Sequence, residues 1–216
     1  MPRAAPERRD RRALVARALY HCISERGYAN TSLKDIADRA GMSPSHVGYY
    51  FDNKPAILEY YAASICARNL RELPDAGEPE LGKLIDRIAD FCLGEGQMSG
   101  GLLKVIQELT GLAVHDERLH EIKAQHAEGW RRYLEGVFER AGPAPGLSAR
   151  EAAWLAHAMI VGLNTNALFD GELRREDAHR ILRLALRSLA GLEPSAPPAR
   201  RRPPGPRPAR TRGTSR

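Results

Sequence analysis

Long apolar runs are missing from this 216-residue chain. None approaches the roughly 20 residues that a bilayer-spanning helix needs, so no membrane partner is expected. Arg17 interrupts the only apolar stretch that follows the basic N-terminus, which argues against a secretory leader. Cysteine is scarce: Cys22, Cys66 and Cys92 lie far apart, odd in number and without a CxxC pair. That excludes a disulfide framework, fits a reducing cytoplasm and leaves all three as small core residues. Catalytic signatures are missing too. The sequence has no HExxH, nucleophile elbow, P-loop or dinucleotide fingerprint, and the five- and six-residue spacing of His115, His120 and His126 does not stack them on one helical face. No metal, cofactor or enzymatic centre is expected. Strand-like alternation and internal repeats are also absent.

Apolar residues nevertheless make up 43% of the chain, enough for a sizeable core, with a mean hydropathy of −0.45. Charge is unevenly placed. Residues 1–54 carry 10 Lys and Arg against 6 Asp and Glu, residues 55–192 carry 16 against 20, and residues 193–216 carry 7 against 1. A basic head on an acidic body suggests that the head meets phosphates and the body something else. The last 24 residues hold seven prolines and seven arginines and almost no large apolar side chain. Such a segment cannot offset its chain entropy by burial, so it is expected to be disordered or partly polyproline II.

Helical periodicity runs through the rest. Leu14, Val15, Ala18, Leu19, Cys22 and Ile23 repeat at spacings of three and four, predicting a helix from about Asp10 to Arg26, closed by Gly27. Arg3, Arg8, Arg9, Arg11 and Arg12 read as a basic arm, either solvated or touching phosphates or a minor groove. Ser32-x-x-Asp35 resembles a capping box for a second helix, with Leu33, Ile36, Ala37 and Ala40 facing inward, Gly41 ending it and Met42 plugging the gap behind it. Ser43 and Pro44 open a short third helix as N-cap and first residue. Val47 and Phe51 point inward from it, with Tyr50 a possible third. A long helix follows from Asn53 to about Arg71. Further helices are expected near 79–93, 101–114, 116–141, 148–169 and 174–190, with LGEGQMSGG around 93–101 as a candidate mobile loop.

Two helices joined by a tight glycine turn, the second short and polar on its outer face, make a helix-turn-helix. A helix fits the major groove, and its exposed side chains reach base edges. Thr31 and Ser32 stand at a helix start, where hydroxyls and N–H groups suit a phosphate. Lys34 lies on the first turn. Ser43, Pro44, Ser45, His46, Gly48 and Tyr49 form the outer surface of the short helix. Lys54 opens the long helix, where its charge and the helix dipole both favour a phosphate. The segment TSLKDIADRAGMSPSHVGYYFDNK, residues 31–54, resembles the DNA-binding signature of the TetR family. Ile36, Ala37, Ala40, Gly41, Ser43, Tyr50, Phe51 and Lys54 match its pattern. Ser32 stands for its leading threonine, and Met42 and Val47 serve as apolar equivalents. The resemblance implies phosphate contacts from Thr31, Ser32, Tyr49 and Lys54. It places Lys34, Pro44, Ser45, His46 and Gly48 nearest the bases. Gly48 departs from the pattern, which often has tyrosine there. It either allows a closer backbone approach to DNA or removes a side-chain contact.

One short reading helix covers few base pairs, so a two-fold dimer is expected. Its interface is sought in the last two helices. Ala152, Leu155, Ala156, Met159, Ile160, Leu163 and Ala167 form one stripe. Ala178, Ile181, Leu182, Ala185 and Leu189, widened by Leu184 and Leu186, form the other. Packing within the chain is the alternative. His126 with Trp130, Trp154 with His157, and Asn164 are weak candidates for an effector pocket; each also suits a satisfied core position. The expected architecture is all-α: a three-helix DNA-binding head (1–54), a helical sensing and dimerisation body (55–192) and the Arg/Pro tail (193–216). The expected function is a ligand-responsive regulator, read as a repressor, that binds double-stranded operator DNA and is released by a small molecule. Two alternatives are non-specific nucleic-acid binding through the tail and an enzyme on a helical scaffold.

Overall fold

The structure is a computed structural model that describes residues 4–94 and 100–192. The described residues fold as α1 (Ala4–Arg26), α2 (Leu33–Ala40), α3 (Pro44–Gly48), α4 (Lys54–Arg71), α5 (Leu81–Leu93), α6 (Gly100–Leu112), α7 (Glu117–Ala141), α8 (Ala149–Phe169) and α9 (Arg175–Leu189), with no strand among them. The Arg/Pro tail, Arg3 and the centre of the candidate loop at 93–101 lie outside the described residues.

Local chemistry sets the boundaries. Ser32 caps α2 through a capping box with Asp35, and Ser148 does the same for α8 with Glu151. Asp116 and Asn53 cap α7 and α4 through their side-chain oxygens. Gly41 ends α2 at φ 65°, and its N–H donates to the carbonyls of Ala37 and Asp38. One boundary differs from expectation: α1 begins at Ala4, not Asp10. The extra turns have no apolar stripe to announce them, and Pro6 is tolerated in a first helical turn. The expected basic arm is therefore helical from Ala4 on.

Two cores result. The first joins Val15, Leu19, Ile36, Val47, Phe51 and Ile57 to Val105, Leu109, Leu119 and Ile122, so α6 and the first turns of α7 share the core of α1–α4. The second collects α5, the later turns of α7, α8 and α9 around Ile88, Leu134, Phe138, Ala156 and Leu182. The cores thus divide elsewhere than at residue 54. Cys22 and Cys92 are buried and Cys66 is half-buried, as small core residues.

The stripes of α8 and α9 are split. Ala152, Ala156 and Ile160, like Ala178, Leu182 and Leu186, are spent on packing within the chain. Trp154, Leu155, Val161 and Ile181 remain exposed. This corrects the expectation of one undivided interface: a helix between two neighbours shows solvent only its third side. By length and a mean hydropathy of 1.2, α8 passes the measure for a membrane-crossing helix, contrary to the reading that no segment does. Its alanine-rich face packs against α7 and α9 instead.

Phe138 is fully buried in the second core. Replacing it with alanine should cost about 3–5 kcal/mol of folding free energy, read as a lower midpoint in urea denaturation.

Candidate DNA-binding face and body sites

The outward face of α3 comes from a few local bonds. Ser43 Oγ accepts from the His46 amide at 3.2 Å and lies 3.0 Å from Ser45 Oγ. Val47 and Phe51 are buried and hold the short helix against α1 and α2. Ser43, Pro44, Ser45, His46, Gly48 and Tyr49 are consequently all exposed, with Tyr49 at 70%. Lys34 is exposed on the first turn of α2. A Cβ built on Gly48 would meet nothing within 4 Å, so packing within the chain does not demand glycine there. The His46 and Tyr50 rings lie 5.5 Å apart, and Tyr49 meets Tyr50 edge-on at 5.0 Å. The Arg8 guanidinium stands 5.9 Å from the Tyr49 ring, bringing the basic start of α1 beside the end of α3.

Two expected phosphate contacts take different roles. Thr31 is 2% exposed, and its hydroxyl donates to the Gly27 carbonyl at 2.8 Å. Its side chain tightens the α1–α2 turn and does not face a phosphate. Lys54 also turns inward. Its Nζ donates to the carbonyls of Tyr28 at 3.0 Å and Thr31 at 2.8 Å, and lies 4.0 Å from the centre of the Tyr28 ring. Charge-assisted bonds of this kind hold the turn onto α4. A lysine facing phosphate was the expectation; here two of its three protons are committed to carbonyls of the turn. Ser32 stays exposed, but its hydroxyl is shared with the capping box, donating to Asp35 Oδ2 at 2.5 Å. Those bonds, with Arg26 nearby, hold the Asp35 carboxyl below the usual carboxylate range.

Glu108 was missed by sequence reasoning. Its carboxylate on α6 accepts from the Tyr28 amide at 2.8 Å, across 80 residues. A Cβ on Gly27, whose φ is +82°, would come within 2.9 Å of Glu108 Oε1. Tyr28 thus sits between the body's α6 and the start of α4. Burial, with Asp116 and Glu59, raises its phenol pKa. An open cleft of about 420 Å³, lined by Ile23, Gly27, Lys104, Gln107, Glu108 and Phe169 among others, adjoins this contact. No local pattern announces such a partner.

The effector candidates fall in two groups. His126 and Trp130 are brought together: His126 Nε2 lies 2.8 Å from Asn69 Oδ1, and Trp130 Nε1 donates to the same oxygen at 2.7 Å. Burial, then Lys123 and His157, push His126 down to about 4. Burial, then Arg131 and Lys123, lower His157. Trp154 is instead half-exposed, with the Arg131 guanidinium 4.1 Å over its ring. Asn164 is 7% exposed; its amide donates to the Ile160 carbonyl, and its Oδ1 has no partner among the described residues. Lys123 and Asn69, which complete this group, carried no sequence signal.

Residues 16–61 match the family described as bacterial regulatory proteins, tetR family. Residues 83–191, half of the chain, match the BetI-type transcriptional repressor C-terminal family. An HTH-type transcriptional regulator BetI from Paraburkholderia phymatum is 31% identical over 81% of this chain and 89% of that protein. The BetI regulator of Stenotrophomonas maltophilia is 29% identical over 79% and 88%. Among solved structures, a TetR transcription regulator from Haloarcula marismortui superposes with a TM-score of 0.73 at 22% identity, over 84% of this chain and 97% of that one. A transcriptional regulator from Saccharomonospora viridis in complex with choline gives 0.68 at 18%, over 79% and 92%. The exposed short helix, the core behind it and the body of α5–α9 thus agree with both family matches, and the chain belongs to the TetR family of bacterial transcriptional regulators, with a body of the BetI type.

Proposed function

We propose that this ligand-responsive, DNA-binding regulator is a cytoplasmic repressor that grips its operator as a two-fold dimer and lets go when a small molecule enters the body. The observation that carries the reading is the exposed face of residues 43–49, a polar surface the width of one helix turn held rigid from behind by Val47 and Phe51. Ser45, His46 and the Gly48 backbone meet base edges, with Lys34, Ser43 and Pro44 at the groove wall. Tyr49 and Ser32 meet the sugar-phosphate rails. Thr31 and Lys54 serve the same end indirectly, by fixing the turn that aims α3.

A second copy covers the exposed stripe of Trp154, Leu155, Val161 and Ile181 in a four-helix bundle of α8, α9 and their symmetry mates. Effector binding acts through α6. Glu108 holds the Tyr28 amide, Lys54 holds the Tyr28 carbonyl, and α4 begins at Lys54. A shift of α6 therefore pulls on the turn that aims the reading helix. Operator affinity changes only as far as the ligand prefers the shifted state.

A gel shift with the duplex upstream of the gene tests the reading. A site-specific complex at moderate salt is expected, and its absence with folded dimer present contradicts it. Deleting residues 193–216 should cause a smaller, salt-sensitive loss; disappearance of all affinity would favour binding through the tail.

Gly48→Ala should stabilise the fold slightly, by up to about 1 kcal/mol, while weakening the operator complex if the backbone approaches the bases there. Unchanged operator affinity would mean that no close approach occurs. Glu108→Ala should lower operator affinity about tenfold, with Glu108→Gln restoring most of it. Equal affinity in all three proteins would remove Glu108 from the coupling.

A further inference from the structure

The early turns of α1 are basic, and their charge is unspent. Residues 8–12 hold four arginines and one aspartate. None of the four arginines has an ion-pair partner among the described residues, whereas Arg26 and Arg39 of the same head pair with Asp35 and Glu25. Arg8 and Arg12 stand four residues apart and share one face of α1. That face turns toward the end of α3. The Arg12 guanidinium lies 4.7 Å from the centre of the Phe51 ring and 4.4 Å from that of Tyr60, so it fastens α1 to the corner where α3 gives way to α4. Its Nε is closed off from solvent without an acceptor among the described residues. One turn earlier, the Arg8 guanidinium stands 5.9 Å from the Tyr49 ring, and both residues are exposed. Contact with a ring face leaves the N–H fork of a guanidinium uncommitted. Asp10 is two positions from Arg8 and so lies on another face of the helix. Arg8 is thus an oriented cation with its donors to spare, beside the outward surface of residues 43–49.

We propose that Arg8 and Tyr49 hold one DNA phosphate between them, which makes α1 a second DNA-binding element beside α2 and α3. The proposal rests on the regulator reading above, which sets Tyr49 on the sugar-phosphate rail. A phosphodiester has two non-bridging oxygens, enough to accept from a phenol and a guanidinium at once. Tyr49 closes α3 as its C-cap, so the pair sits at the end of the reading helix rather than along the surface that faces the bases. Unpaired arginines gathered at such an edge are the footprint of a polyanion. A carboxylate on a protein partner would satisfy the same charge, but it would have to stand where the duplex lies against residues 43–49. Arg12 explains why Arg8 can do this from a helix end: the rings of Phe51 and Tyr60 keep the second and third turns of α1 from swinging away.

A phosphate contact leaves a mark that packing does not. Neutralising a phosphate releases condensed counterions, so the contact appears in the salt dependence of binding. Arg17 serves as an internal control. It is exposed, and at nine residues from Arg8 it lies half a turn around α1.

Affinities of the full chain for the operator duplex and for a scrambled duplex of equal length are measured by fluorescence anisotropy between about 50 and 200 mM salt. Arg8→Gln, checked for folding by circular dichroism, should flatten the slope of log affinity against log salt by about 0.9 per contact, hence about 1.8 for a dimer on two half-sites. The flattening should appear on both duplexes, because a phosphate carries no sequence. Arg8→Lys should keep the slope, and Arg17→Gln should match the unaltered protein. Arg8→Gln combined with Tyr49→Phe should cost less than the sum of the separate losses, since both side chains serve one phosphate. An unchanged slope in folded Arg8→Gln overturns the proposal, as does an equal flattening in Arg17→Gln. Strictly additive losses overturn the shared phosphate, and a loss confined to the operator would mean base readout instead. If the unaltered protein forms no operator-specific complex, the regulator reading falls. If that complex forms and Arg8→Gln binds like the unaltered protein, only this inference falls.

Discussion

The ammonium of Lys54, set between two carbonyls of the α1–α2 turn and over the Tyr28 ring, is the contact on which the head depends. It joins the first residue of the long helix to the turn that launches α2, and α2 carries α3. Glu108 grips the same turn from the body side through the Tyr28 amide. One residue, Tyr28, is therefore held by its N–H from α6, by its carbonyl from α4 and by its ring under a cation. The first core repeats this connection in apolar terms, since Val105 and Leu109 pack with Val15, Leu19 and Ile57. Reading and sensing parts share a core rather than merely a linker, which is what coupling between two sites requires physically.

Much of this was legible in the sequence because it is local. The capping box of Ser32 with Asp35, the left-handed Gly41, the Ser43–Pro44 helix start and the inward Val47 and Phe51 are all fixed within a few residues. Residue type was a poorer guide to direction. Thr31 and Lys54 have the chemistry of phosphate ligands, yet both face inward because carbonyls at Gly27, Tyr28 and Thr31 need donors. Those partners exist only once the chain has turned back on itself. The start of α1 was hidden for the opposite reason: an Arg-rich stretch has no apolar period to betray it.

The body was read less well. Helix positions came from periodicity, but which third of each helix stays uncovered is a property of packing. Ala152 and Leu155 look alike on a helical wheel, yet one is buried and the other exposed. The polar cluster was half seen, through His126, Trp130, His157 and Asn164. Asn69 and Lys123, which give it its chemical character, are unremarkable in sequence and acquire meaning only when α4 and α7 meet.

The central claim is that the outward face of α3 lies in the groove of a duplex. A photoreactive benzoylphenylalanine placed at position 45, with position 17 on the exposed side of α1 as control, tests it most directly. Irradiating the operator complex should join position 45 to the DNA and leave position 17 unattached. A complex that forms normally but is linked to DNA at position 17 and not at position 45 would contradict the account.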